Sequence, residues 1–109
     1  MGMASLKESE KDFLSWIIAL AHVRGFSVAH FRPALTAKGY RTAVQGDGVG
    51  FPDLVLIHPN KGMVVAEVKG PGGHLSGEQA DWLGLFLLAS VEAWCWWPED
   101  RPLIERILR

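Results

Sequence analysis

The sequence has a single cysteine, no surplus of either charge and no long apolar run, and each of these shortages excludes something. One thiol, Cys95, cannot close a disulfide within the chain, and its tryptophan neighbours mark it as a buried thiol rather than a reactive one. Eleven basic residues against twelve acidic ones give a formal net charge of −1. No overall field then draws the chain to nucleic acid, and such binding would have to come from a local basic patch. No apolar run approaches the roughly 18 to 20 residues that cross a bilayer. The opening MGMASLKESEK has no signal-peptide core, and Leu6 stands where a myristoylation signal carries Ser or Thr. The expectation is a soluble, cytoplasmic chain without a membrane partner. With 49% apolar and 21% charged residues, 109 residues suit one domain, 1–109, with a modest core.

What is present concentrates in one stretch, Gly50 to Lys69, reading GFPDLVLIHPNKGMVVAEVK. Two aliphatic runs, Leu54 to Ile57 and Met63 to Ala66, flank the turn-forming HPNKG and predict a hairpin of two buried strands. Side chains alternate along a strand, so Glu67 and Lys69 share one face, about 7 Å apart, while Val64, Ala66 and Val68 take the other. If the strands pair antiparallel, Asp53, which opens the first, meets Glu67 and Lys69 at one edge of the sheet. Two carboxylates at close range repel, and an unpaired buried acid costs several kcal/mol, so the arrangement calls for a compensating charge. A hard divalent cation such as Mg²⁺ or Mn²⁺ accepts all-oxygen ligands and carries waters, one of which can become a nucleophile. Lys69 would then stabilise charge on a phosphate or position that water. The alternative is an ion pair between Glu67 and Lys69 on an exposed strand, worth about 0 to 1 kcal/mol.

The flanking segments are read the same way. A first helix is expected to begin near Ser5, where Ser5 and Glu8 fit a capping box, and to end before Gly25, a left-handed cap. Its core-facing stripe is Leu6, Glu10, Phe13, Ile17 and Leu20, which makes Glu10 the acid that points inward; the alternative places Glu10 in the first turn for the helix dipole alone. Phe26 to Phe31 predicts a strand ending near His30, read first as a hydrogen-bonded structural residue and second as a phosphate contact. Arg32 to Gly50 shows no sustained period and is expected to be a long loop. There Arg32, Lys38 and Arg41 surround Tyr40, a mixture suited to phosphate contacts and base stacking, or else simply a solvated loop. Glycines 46, 48 and 50 are expected near the acidic site, where their amides would form a phosphate nest; they do not open a helix and so form no dinucleotide fingerprint. Ser76 and Gln79 make a second capping box at the start of a second helix. Gln79 shares a stripe with Trp82, Leu83 and Phe86, so its amide would orient the attacking water or bind a phosphate oxygen, although capping alone also explains it. Gly84, costing about 1 kcal/mol inside that helix, is expected to mark a close contact. Val91 to Trp97 predicts a last strand with tryptophan on both faces, covered by a terminal helix over Asp100 to Leu108 or by a second subunit.

The ordered set G-x-P-D, apolar strand, turn and E-x-K resembles the PD-(D/E)XK nuclease superfamily, and in particular its virus-type replication-repair branch, the VRR-NUC domain. Upstream ALAHVRGFSVAHFRPALTAKGYRTAVQGDGVGFPDLVL and downstream LSGEQADWLGLF resemble stand-alone phage members, so the likeness covers residues 6–97. It implies an α/β fold with a restriction-endonuclease-like core, a mixed sheet of about four strands flanked by helices. It also implies Mg²⁺ or Mn²⁺ held by Asp53, Glu67 and the Val68 carbonyl, with Glu10 completing the site directly or through water. Lys69 would activate or orient the nucleophile, with Gln79 in support. The implied substrate is branched DNA such as a four-way (Holliday) junction, cut by a homodimer with paired centres. A flap or nicking nuclease, and a non-cleaving DNA-binding accessory factor of phage replication, are the alternatives.

Overall fold

The structure is a computed structural model, and it describes residues 9–31, 34–36, 39–41 and 46–109. Helix α1 (Glu10–Val23) starts from Ser9, which is extended (φ −81°, ψ 161°) and accepts the Asp12 N–H on its hydroxyl at 3.0 Å. The start expected near Ser5 is thus corrected to Glu10. The chain carries two successive Ser-x-x-acid boxes, and the extended backbone at Ser9 makes the second one the cap; Ser5, Leu6 and Glu8 lie outside the described residues. At its other end the Gly25 N–H donates to the His22 carbonyl at 3.0 Å and the Phe26 N–H to that of Ala21 at 2.9 Å, with Gly25 at φ +86°. This pair of bonds is a Schellman motif, and it turns Phe26 into the core beside Ala21.

Four strands form a mixed sheet: β1 (Ser27–His30), β4 (Leu54–His58), β5 (Gly62–Val68) and β6 (Glu92–Trp96), in that spatial order. The first three pair antiparallel and β6 lies parallel to β5. A parallel neighbour needs a crossover, which helix α2 (Gly77–Leu88) supplies. The turn between β4 and β5 is held by His58, whose Nδ1 accepts the N–H groups of Asn60 and Lys61 at 3.0 and 3.2 Å.

Period-two alternation sends Leu54, Leu56, Val64, Ala66, Val68 and Trp96 to one face, where they pack with Phe13, Ile17 and Ala21 of α1 and with Ile104 and Leu108 at the C-terminal helix α3 (Arg101–Ile107). Arg101 adds to this layer, its guanidinium lying 5.2 Å from the ring centre of Phe13 and 4.9 Å from that of Trp16. The opposite face, carrying Val65 and Glu67, is covered by α2. The chain's own terminal helix therefore buries Trp96. Among the described residues no helix is long and apolar enough to cross a membrane.

Two expectations change. Within the stretch expected to be all loop, β2 (Ala34–Thr36) and β3 (Gly39–Arg41) pair antiparallel, Leu35 opposite Tyr40. Three-residue strands are too short to display a period of two, so only their pairing reveals them. Gly84 marks no close contact, since a Cβ there would meet no heavy atom of the described residues within 4 Å.

Helix α2 also ends in a Schellman motif, Ser90 N–H to Leu87 and Val91 N–H to Phe86, but with Ser90 at φ +64° where glycine is favoured. Gly84→Ala and Ser90→Gly are each expected to stabilise the protein by about 1 kcal/mol. The check is the urea midpoint at unchanged slope, and no gain from Gly84→Ala would mean that its side is covered.

Candidate active site

The β4–β5 register, Leu54 opposite Ala66, continues one step to set Asp53 across from Glu67. Asp53 is pinned on both sides. Its carbonyl accepts the Phe31 N–H at 2.9 Å at the end of β1, and its Oδ2 accepts the Val68 N–H at 2.9 Å. Glu67 is 3% exposed, a burial that carboxylates rarely reach without partners. Its Oε2 accepts the Gln79 Nε2–H at 2.9 Å and lies 3.6 Å from Lys69 Nζ, whereas its Oε1 is buried with no hydrogen-bond partner among the described residues. The structure thus brings Asp53, Glu67, Lys69 and Gln79 together.

Gln79 is held by its own helix cap. The Ser76 hydroxyl accepts the Gln79 backbone N–H at 3.1 Å, and the Gln79 Oε1 accepts the Ser76 N–H at 2.8 Å. With the amide oxygen engaged by the cap, the NH₂ end is the one that reaches Glu67. One side chain thus both caps α2 and donates to the Glu67 carboxylate.

Burial pushes the Glu67 carboxyl up to about 8, helped by the neighbouring Asp53 carboxylate, while Lys69 pulls the other way. Cys95, opposite Glu67 in the parallel register, is half-buried, and burial and then the Glu67 charge push its thiol up to about 11. It is an unreactive thiol. Its position beside the acid escapes sequence reading because parallel register depends on the α2 crossover; no local spacing signals it.

An acid that ionises only with difficulty beside a second carboxylate, with one oxygen unpartnered, fits a hard divalent cation, whose charge offsets both burial and repulsion. The converging carboxylates are two: among the described residues no three His, Cys, Asp or Glu side chains gather to hold a metal. Glu10, expected to point inward, is instead exposed at the first position of α1. It nonetheless adjoins the site, because a Cβ on Gly70 would lie 3.1 Å from Glu10 Cβ.

His30, half-buried, ends β1 opposite Leu54. Tyr40 and Arg41 lie on β3, and Arg32 and Lys38 lie outside the described residues. The glycine loop packs on α2. A Cβ at Gly50, whose φ is +86°, would come within 2.5 Å of the Glu78 carbonyl carbon. The Trp82 indole N–H is shared between the carbonyls of Asp47 and Val49 at 3.0 and 3.1 Å. Loop and helix border a groove of about 560 Å³ whose lining includes Asp47, Glu78 and Asp81. Three acids make it a poor cradle for phosphate.

Comparison with known proteins adds an independent line. A family model described as the VRR-NUC domain matches residues 10–93, which include Asp53, Glu67, Lys69 and Gln79. The chain is similar to the Fanconi-associated nuclease 1 homolog of Caenorhabditis elegans, 42% identical over 69 residues, covering 57% of this chain and 8% of that protein. It is similar also to the homolog of that name from Caenorhabditis briggsae, 43% identical over 65 residues, 57% of this chain and 7% of that protein. The chain thus spans less than a tenth of the length of these curated relatives. No solved structure matches it.

The buried acid makes a pH prediction for the metal-free protein. Glu67 ionises near 4.5 when unfolded and near 8 when folded, so the folded state binds the extra proton between these values. Stability is unaffected below the lower value, falls as pH rises through the window, and stays reduced above it. Thermal melts in EDTA should show this fall for the wild type and a flatter profile for Glu67→Gln. Identical profiles would place the proton elsewhere.

Proposed function

The chain belongs to the VRR-NUC domain family, and from that premise we propose that it is a metal-dependent, structure-specific DNA endonuclease. The observation that carries this reading is the meeting of Asp53, buried Glu67 and Lys69 at one end of the β4–β5 hairpin. That both relatives are named as nucleases supports it.

In this reading Asp53 and Glu67, with the Val68 carbonyl, hold Mg²⁺ or Mn²⁺, and Glu10 assists directly or through water. Such an ion, when bound, supplies a water of lowered pKa and offsets charge on the phosphate. Lys69, its ammonium 3.6 Å from Glu67, orients the attacking water and offsets charge in the transition state. Gln79 donates to Glu67 Oε2 and holds that carboxylate in one orientation. Arg32, Lys38, Tyr40 and Arg41, together with His30, contact the DNA and supply the local cations that a net charge of −1 does not. The substrate is branched DNA, a four-way junction foremost, and the protein works in the cytoplasm, that of the host cell if phage-encoded. A homodimer would give two centres for paired cuts, and Leu85, Leu87 and Leu88, each more than half exposed on α2, offer apolar surface for it.

Labelled four-way junction, flap and linear duplex, each incubated with Mg²⁺, Mn²⁺ or EDTA, test the reading. Cutting of the branched substrates that needs metal is expected, with Lys69→Ala slowing it by about 10²- to 10³-fold. Asp53→Asn should abolish metal-dependent cutting. Binding without any cutting would mark an accessory factor, and a fully active Lys69→Ala protein would remove the lysine from the chemistry.

A further inference from the structure

Immediately after Lys69 the chain reads Gly70-Pro71-Gly72-Gly73 and turns back on itself. The Gly73 N–H donates to the Gly70 carbonyl at 3.0 Å, and Gly72 has φ +77°. A type II turn requires a positive φ at its third position, met here by Gly72, and favours proline at its second, met by Pro71. This turn lies against the lysine itself: a Cβ built on Gly73 would sit 3.2 Å from Cβ and 3.4 Å from Cδ of Lys69. At those distances the stem would have to move to admit a methyl group.

A single hydrogen bond does not hold the turn in place. The indole N–H of Trp97 donates to the Gly73 carbonyl at 2.9 Å. Trp97 is anchored in its turn, since its backbone N–H donates to Asp100 Oδ2 at 2.8 Å and its carbonyl accepts the Asp100 N–H at 2.9 Å. One residue earlier, the Trp96 carbonyl accepts the backbone N–H of Lys69 at 2.9 Å. Two consecutive tryptophans at the end of β6 therefore hold the lysine's backbone and the turn that covers its stem. The Lys69 side chain is 14% exposed, little for a residue with four flexible methylenes.

We propose that Trp97 is a positioning residue for Lys69: its indole clasps the 70–73 turn onto the lysine stem and so keeps the ammonium beside Glu67. This rests on the reading of Lys69 as the amine of a nuclease site and extends it to a residue outside the segment matched by the family model. Closing one side of the stem removes the rotamers that would carry the ammonium away from Glu67, so the lysine's position is set before substrate arrives.

Two variants of the full chain test the clasp. Trp97→Phe keeps an aromatic ring and removes the donor, and Gly73→Ala leaves Trp97 intact and pushes a methyl group at the stem and, at 3.2 Å, at the Gly70 carbonyl of the turn. The first readout needs no nuclease activity: acetylation by an N-hydroxysuccinimide ester in EDTA, quantified for each lysine by mass spectrometry. Exposed Lys61, at the opposite end of β5, is the internal reference. Lys69 should label more slowly than Lys61 in the wild type and several-fold faster in both variants, with Lys61 unchanged. The second readout is metal-dependent DNA cleavage, where kcat should fall roughly 10- to 100-fold at unchanged KM. Wild-type labelling of Lys69 in both variants would overturn the clasp, as would faster labelling with an undiminished kcat. If the wild type cuts no DNA in any metal, the nuclease reading fails, and the labelling alone decides whether Trp97 holds the ammonium.

Discussion

Everything at the proposed site depends on the pairing register of β4 with β5. With Leu54 opposite Ala66, the even-numbered residues of β5 go to the face packed by α1 and α3, and Glu67 goes to the face beneath α2. A slip of one residue would send the carboxylate into the aliphatic core and the valines to the other side. The apolar residues that stabilise the sheet are thus what orient the acid, and the same register brings Asp53 across from it.

That orientation has an energetic consequence. Glu67 is buried, one of its oxygens is unpartnered, and its neighbour Asp53 is another acid, so the carboxyl resists ionisation in the metal-free protein. Two groups oppose this, the Lys69 ammonium and the Gln79 amide. Neither is free to wander. Gln79 is caught in the capping box of α2, so the bonds that start that helix also aim a donor at Glu67. Lys69 is held through its backbone by Trp96 and lies under the 70–73 turn. Local stabilising motifs here double as supports for a strained electrostatic centre, which is how a modest core can tolerate one.

The family model matches residues 10–93, yet Trp96, Trp97 and α3 lie beyond that segment. They close the core face of the sheet and hold the chain on either side of Lys69. On the other face a cluster of rings, Phe31, Phe51, Trp82 and Phe86, ties the segment leading into Asp53 to α2. The two segments that deliver the site's acids and its amine are therefore each secured by aromatic side chains from elements distant in sequence.

By itself the sequence determined what short-range chemistry controls. Alternating apolar residues on either side of HPNKG specify the hairpin and the faces of Glu67 and Lys69, Gly25 specifies the left-handed end of α1, and Ser76 with Gln79 specifies the start of α2. Tertiary structure decided the rest. Two equivalent serine boxes left the start of α1 open, and the cap at Ser9 put Glu10 in the first position of the helix, exposed and beside Gly70. The three-residue strands β2 and β3 pair with each other, and the glycine loop packs on α2 because the Trp82 indole N–H donates to its carbonyls. Cys95 beside Glu67 and Trp97 on Gly73 depend on a parallel strand returned by a helix. The physical reason is range: caps, turns and alternation act over a few residues and can be read from spacing, whereas contacts between distant segments follow from packing that no local pattern encodes.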